Sequence, residues 1–360
     1  MIPFLYETTE KNFTNGGLGA LTDAITCTIT QETNGSYELE MEYPIHGILW
    51  EQITPRRWIY ANNQPFRIYK ITKTNEITFK VYAEHCSYLL SYMTFRYILN
   101  ADKVTPKDVL KSLSDNIVDT NPFTFDTQWD DTSCYFNSLG LVTVRQLLCG
   151  EEGSILDVFG SGFYTFDKWT VHLTKNTKET PQYAIRAGNN IESFSITLDD
   201  SDIFTAVKPY WTGTNSEGAE ERTVLGYGEI VKGEYFENYP YQYTKMLDCS
   251  SAFQSVPTQD QLKEYSEAYL ANNISKQITS MTFDFDSSLI QNIDIRNNIV
   301  GHKVKTITRP EINDLVLVDL YPYNIQATAR ITSITYDALR DKPTKYGFGY
   351  INNLAKTVKK

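Results

Sequence analysis

Ala24-Ile25-Thr26-Cys27-Thr28-Ile29-Thr30 is followed by Gln31-Glu32-Thr33-Asn34-Gly35 and then by Ser36-Tyr37-Glu38-Leu39-Glu40-Met41-Glu42-Tyr43-Pro44. In the first run Ile25, Cys27 and Ile29 alternate with threonines. In the second, Tyr37, Leu39, Met41 and Tyr43 alternate with Glu38, Glu40 and Glu42. A period of two over both runs specifies two strands, each with an apolar and a polar face. Asn34-Gly35 supplies the positive φ that a type I′ turn needs at both central residues, so Gly35→Val is expected to cost about 1 kcal/mol or more. The stretch reads as a long antiparallel hairpin with an acidic outer face. It contains no recognisable nucleophile, metal-ligand spacing or phosphate loop.

Outward from this hairpin, residues 1–97 read as a first β domain, a barrel or a sandwich. Trp58-Ile59-Tyr60, Gln64 to Ile71 and Ile77 to Glu84 are further short strands, the last with Ile77, Phe79, Val81 and Ala83 on one face. Residues 98–180 change character and form a small α+β insert. Thr105-Pro106-Lys107-Asp108 has a hydroxyl cap, Pro at the first helical position and an acid three residues after the cap, and Val109, Leu110, Leu113 and Ile117 follow at helical spacing. A second helix is expected from Thr143, with Val144, Leu147 and Leu148 inward, a further turn after Ser154, and a hairpin around Asp167-Lys168. Residues 181–245 and 277–360 read as a second β domain. Its strands include Ile191 to Leu198, Val207 to Trp211, Met281 to Asp286, Leu315 to Leu320 and Ala329 to Tyr336. A helical insert, 246–276, opens with the capping box Thr258-Gln259-Asp260-Gln261 and carries Leu262, Tyr265, Tyr269 and Leu270 on one side. The fold class is thus mainly β with an α+β insert.

Composition narrows the function classes. The net charge of −11 argues against a protein that grips nucleic acid or an anionic membrane through a positive field. No run approaches the length of a membrane span, and the N-terminus has no signal-peptide pattern, so synthesis and folding in the cytoplasm are expected. Tyr, at 25 residues, and Phe, at 18, favour strands and interfaces. Cys27, Cys86, Cys134, Cys149 and Cys249 are odd in number and form no CxxC pair, which points to reduced, core cysteines.

Candidate chemical sites reduce to structural readings. In His85-Cys86, neighbours at a strand end point to opposite faces, which makes Cys86 a core residue and His85 partly exposed. Ser114-Asp115-Asn116 lacks the companion motifs of penicillin-binding enzymes and ends the helix begun at Pro106. Gly160-Ser161-Gly162 is a turn. His46, His85, His172 and His302 have no His-Glu-x-x-His spacing, so neither metal nor cofactor is expected. Asp130-Asp131 and Asp199-Asp200-Ser201-Asp202 match no EF-hand loop and read as solvated turns and caps.

Asn34-Gly35-Ser36-Tyr37-Glu38-Leu39-Glu40-Met41-Glu42-Tyr43-Pro44 resembles the signature of the N-terminal region of phage minor structural proteins, the prophage endopeptidase tail or tail-associated lysin family of siphophages of Gram-positive bacteria. Gln64 to Tyr69 with Ala83-Glu84-His85 follows in the family's order. So do Gly188 to Ile191 with Lys208-Pro209-Tyr210, and Asp314 to Val318, Ala329-Arg330-Ile331, Tyr336 to Leu339 and Gly347-Phe348-Gly349. The resemblance covers nearly the whole chain. It implies a fold like a contractile-tail baseplate hub, with two β-barrel-like domains per subunit at 1–97 and at 181–245 with 277–360, and a homotrimeric ring that adapts a sixfold tail tube to a threefold tip while DNA passes. It also implies a place in the virion tail tip beside the distal tail protein ring and the tape-measure protein, with receptor-binding proteins as further partners. The alternative function is a peptidoglycan endopeptidase acting in cell-wall penetration. In relatives that activity lies in a C-terminal extension, and this chain stops after the second β region, so no enzymatic role is expected here. Host-receptor binding through Thr212 to Glu221 is a weaker third reading. Under the hub reading Glu38, Glu40 and Glu42 are candidate channel-lining residues.

Overall fold

The structure is a computed structural model that describes residues 2–73, 76–96, 99–118, 120–160, 162–176, 181, 183–186, 193–199, 204–215, 222–234, 236–253, 255–272, 278–284, 310–320 and 325–353. Seven strands build the N-terminal barrel: β1 (Phe4–Tyr6), β2 (Gly19–Ala20), β3 (Thr26–Glu32), β4 (Tyr37–Pro44), β5 (Trp58–Ala61), β6 (Gln64–Lys73) and β7 (Thr78–His85). The alternation read from the sequence sets which side chains enter. Cys27, Ile29, Leu39, Met41, Tyr43, Phe66, Ile68, Phe79, Val81 and Ala83 share one core with Leu5, Leu21 and Ile59. Ile25 and Ile77 depart from this pattern. Each stands just before its strand begins and is exposed.

The insert comprises β8 (Asn100–Val104), α1 (Pro106–Asn116), β9 (Thr124–Thr127), β10 (Cys134–Asn137), α2 (Val144–Leu148), α3 (Ile155–Phe159), β11 (Gly162–Asp167) and β12 (Thr170–Lys175). The predicted Thr105 cap forms as a complete box with Asp108, and Thr143, at the expected start of the second helix, forms another with Gln146. Ser154 precedes α3 without a side-chain cap bond; Asp157 instead accepts from the Gly153 N–H at 2.9 Å. The second core packs α1, α2, α3 and β12 together and extends to Tyr6, Phe13 and Trp58 of the barrel.

Beyond it lie β13 (Tyr183–Arg186) and β14 (Ser193–Asp199). A separate four-stranded sheet follows: β15 (Ala206–Asn215), β16 (Arg222–Tyr227), β17 (Val231–Lys232) and β18 (Thr244–Asp248), with α4 (Gln259–Asn272) against it. Thr258 and Gln261 cap α4 reciprocally, as predicted. Thr212 to Asn215 continue β15 instead of opening a loop, and 216–221 lie outside the described residues. The remaining strands are β19 (Ile278–Asp284), β20 (Leu315–Leu320), β21 (Ile325–Asp337) and β22 (Lys342–Asn353).

One pairing was not visible in the sequence. β3 bonds to β4 on one side and to β21 on the other, with Thr30 opposite Thr335 and Thr28 opposite Asp337. The N-terminal and C-terminal β regions are therefore one thirteen-stranded sheet, ordered β14-β19-β22-β21-β3-β4-β7-β6-β5-β1-β2 with β20 and β13 branching from β21.

Candidate functional site

The hairpin tip departs from a type I′ turn. Asn34 takes a positive φ of 53°, whereas Gly35 does not lie in the positive-φ region. The Gly35 N–H donates to the Glu32 carbonyl at 3.3 Å, and the Glu32 N–H donates to the Ser36 carbonyl at 2.7 Å. The loop is thus longer than two residues, and its left-handed position falls on Asn34, a residue type that tolerates it. A side chain at Gly35 would be opposed by crowding from the Glu32 side chain, 3.0–3.1 Å from a Cβ, instead of by φ.

Asn34 also docks the hairpin. Its Oδ1 accepts from the Tyr164 N–H at 2.8 Å and its Nδ2 donates to the Gly162 carbonyl at 3.1 Å. The side-chain amide thereby occupies the edge of β11 as a neighbouring strand would. Arg145 donates to the Gly35 carbonyl at 3.3 Å, the Thr33 N–H donates to the Thr332 carbonyl at 2.8 Å, and Thr33 Oγ1 donates to Asn313 Oδ1 at 2.7 Å. Barrel, insert and C-terminal strands all meet at this tip.

Behind it, Glu38, Glu40 and Glu42 point away from the core along β4, with Glu40 the most exposed. Their neighbours are set by register. Glu40 pairs with Lys80 at 2.7 Å, Glu42 accepts from the Thr78 hydroxyl at 2.7 Å, and Glu38 accepts from the Tyr88 hydroxyl at 3.1 Å. On the next strand Glu84 is paired with Arg67. The face is a ladder of carboxylates flanked by Thr26, Thr28 and Thr30 on β3. Among the described residues, Glu40 is the one of the three with a cation partner, and Glu38 and Glu42 accept from hydroxyls.

His85-Cys86 corrects an expectation. The strand ends at His85 and the chain turns into a 3₁₀ segment over Cys86–Ser91, so the two side chains do not diverge. His85 is 0% exposed, and Cys86 Sγ lies 3.6 Å from its Nε2. The Ser87 N–H donates to Nδ1 at 3.2 Å, which leaves the proton on Nε2 to donate to Gln64 Oε1 at 3.2 Å. Gln64 Oε1 also accepts from the Lys168 N–H at 2.7 Å, and the Cys86 thiol donates to the Lys168 carbonyl at 2.9 Å. Tyr37 stacks on the imidazole at 4.3 Å. Burial, followed by the nearby Arg145 charge, lowers the His85 pKa to about 3, and burial pushes the Cys86 thiol well up. A thiolate–imidazolium pair is disfavoured from both sides. The cluster is a fastener between β6, β7 and the β11–β12 turn.

The other sequence candidates are dispersed. Asn116 ends α1 and donates to the Ser112 carbonyl at 2.7 Å. Asp131 pairs with Lys175 at 2.8 Å and Asp130 with Lys107 at 3.9 Å. His172 lies 3.3 Å from Asp126, and His46 packs edge-on against Trp50. His302 and 200–202 lie outside the described residues. Among the described residues no group of three or more His, Cys, Asp or Glu could hold a metal ion, and no helix is long and apolar enough to cross a membrane.

No curated protein matches the chain. Among solved structures, the prophage tail protein gp18 from Listeria monocytogenes EGD-e is similar with a TM-score of 0.63 at 12% identity, covering 99% of this chain and 96% of that one. A 43 kDa tail protein of prophage MuSo2 from Shewanella oneidensis is similar with a TM-score of 0.60 at 11% identity, covering 98% of each chain. A tail protein from Neisseria meningitidis MC58 is similar with a TM-score of 0.59 at 11% identity, covering 98% of this chain and 97% of that one. At these identities the likeness is one of fold, and it runs the length of the chain. The span that holds the opening hairpin and its barrel, residues 7–85, matches the family of the prophage endopeptidase tail N-terminal domain.

Proposed function

We propose that the protein is a structural subunit of a phage tail tip, assembling as a homotrimeric ring that joins a sixfold tube to a threefold tip and lets DNA pass. The observation that carries this reading is the end-to-end likeness of fold to three tail proteins, together with the tail-domain match over residues 7–85. The proposal keeps the division into a first barrel at 1–97, an insert at 98–180, a second barrel at 181–245 and 277–360, and a helical insert at 246–276. It places the protein in the virion, against the distal tail protein ring and the tape-measure protein.

Within the ring, the face bearing Glu38, Glu40 and Glu42 lines the channel. A wall of carboxylates does not bind phosphates, whereas lysines there would hold DNA by releasing its counterions. The outward aim of all three side chains and the net charge of −11 support this assignment. The test is direct. Images of assembled tails are expected to show threefold symmetry at the tip; a twofold dimer overturns the proposal. Replacing the three glutamates by Lys is expected to leave tails intact and slow DNA ejection, most at low salt. Ejection at the wild-type rate in low salt removes the channel assignment. The subunit acts without catalysis in this reading, so purified protein is expected to release no free amines from cell walls; release abolished by Cys86→Ala would restore the endopeptidase reading.

A further inference from the structure

The chain holds two Asn-Gly pairs, Asn15-Gly16 and Asn34-Gly35. This dipeptide is prone to modify itself, because glycine puts no side chain in the way of its own nitrogen. That nitrogen gives up its proton and attacks the Asn Cγ. The carboxamide nitrogen leaves as ammonia, and a succinimide ring closes. Water then opens the ring at one carbonyl or the other, giving aspartate or, in larger share, isoaspartate, in which the main chain runs through Cβ and Cγ.

The reaction needs a carboxamide free to turn its Cγ toward the next residue, a free nitrogen on that residue, and no charge opposing the anion. The docked tip withholds all three from Asn34. Its Oδ1 is held by the Tyr164 N–H at 2.8 Å and its Nδ2 by the Gly162 carbonyl at 3.1 Å. The Gly35 N–H is engaged with the Glu32 carbonyl at 3.3 Å. The Glu32 carboxylate stands over the same glycine, with Oε2 3.0 Å from where a Cβ would sit, and it accepts from the Ser36 N–H at 3.4 Å. Gly35 itself is exposed, so water for the second step is at hand. Asn15 is held differently. Its Oδ1 accepts from the Gly17 N–H at 2.8 Å and its Nδ2 donates to Glu10 Oε2 at 3.3 Å. Both partners belong to its own loop, so a small local movement frees it.

We propose that Asn34 is a modification site gated by the docking of the hairpin on the insert. It stays an asparagine while its amide bridges to β11, and it converts through the succinimide when the tip leaves. The step runs one way. Aspartate keeps an acceptor for Tyr164 and has no N–H for Gly162. Isoaspartate lengthens the backbone across the tip, so neither bond re-forms in its original register. A chain that has opened at this joint is marked, and the mark holds the joint open.

The test is peptide mapping of the full chain at pH 8, by mass spectrometry that resolves Asn, Asp and isoaspartate at both pairs over time. In denaturant the two sites are expected to convert at similar rates. Folding is expected to slow Asn34 at least about tenfold, and Asn15 by less, since the docked amide must first break two bonds. Arg145→Ala removes a bond to the Gly35 carbonyl without touching the amide. It is expected to raise the Asn34 rate several-fold and leave Asn15 unchanged. Thr33→Val, which loses the bond to Asn313, repeats that comparison if a thermal melt shows that Arg145→Ala does not fold. In an Asn15→Ser background, protein converted in denaturant and refolded is expected to lose hydrogen-exchange protection at the Tyr164 amide. Folded Asn34 converting as fast as in denaturant overturns the proposal, as does a folded variant with the wild-type rate at Asn34. Full protection at Tyr164 after conversion overturns the one-way step.

Discussion

His85 carries a proton relation that can be read out as stability. Its pKa is about 3 in the folded protein and 6.5 when exposed. Between those values the unfolded chain binds a proton that the folded chain refuses, so stability is lost as pH falls, by up to about 1.4 kcal/mol per pH unit. Denaturant unfolding at pH 7 and pH 5 is expected to differ by about 2 kcal/mol on this account. His85→Gln should flatten that difference; an unchanged pH dependence would show that the imidazole is not buried neutral. Asn34 offers a second test at this scale. Asn34→Gly keeps the positive φ but removes both bonds to β11, and a loss of about 1–3 kcal/mol is expected. Asn34→Asp keeps the acceptor for Tyr164 and loses the donor to Gly162, so it should fall between the two. Equal melting temperatures for all three proteins would mean that the amide does not dock the hairpin.

Secondary elements follow local rules closely, and here the sequence was most legible. Thr105 with Asp108, Thr143 with Gln146 and Thr258 with Gln261 are reciprocal caps whose partners lie three residues apart, so nothing distant was needed to find them. Thr105→Ala and Thr143→Ala are each expected to lower stability by about 1 kcal/mol, measured by chemical unfolding, because an orphan N–H loses its acceptor. No change in either would show that water replaces the hydroxyl. The period-two pattern placed Cys27, Ile29, Leu39, Met41 and Tyr43 in the core correctly. It misplaced Ile25 and Ile77 because periodicity does not say where a ladder begins. It missed the burial of His85 because the chain leaves the strand at that residue. The role of Asn34 was hidden for a different reason: the same dipeptide that signals a turn is here selected for a side-chain amide that reaches a strand about 130 residues away, a contact that no local pattern encodes.

Across the whole molecule, β21 is the strand that joins the parts. It bonds to β20 and β22 and continues the barrel through β3. Ile331, 0% exposed in β21, is therefore expected to matter for both β regions. Ile331→Ala should cost about 2–5 kcal/mol, and hydrogen exchange should report that loss at amides of β4 as well as β22. If β4 amides keep wild-type protection, the two regions open independently and the continuous sheet does not transmit stability. The channel role proposed for the acidic face of the opening hairpin belongs to this scale too, since any such channel would exist only in an assembly. That is why the residues suggest it and a single chain does not display it.

The β3–β21 pairing also sets a timetable for synthesis. Thr30 leaves the ribosome roughly 300 residues before Thr335, which at translation rates of about 5–20 residues per second is a wait of about 15–60 s. During that interval β3 presents an unpaired backbone edge on an otherwise complete hairpin. Nascent chains on neighbouring ribosomes of one message would hold the same edge open at the same time, at high local concentration. Threonines on one face of β3, beside the row of glutamates on β4, make that waiting edge polar on one side.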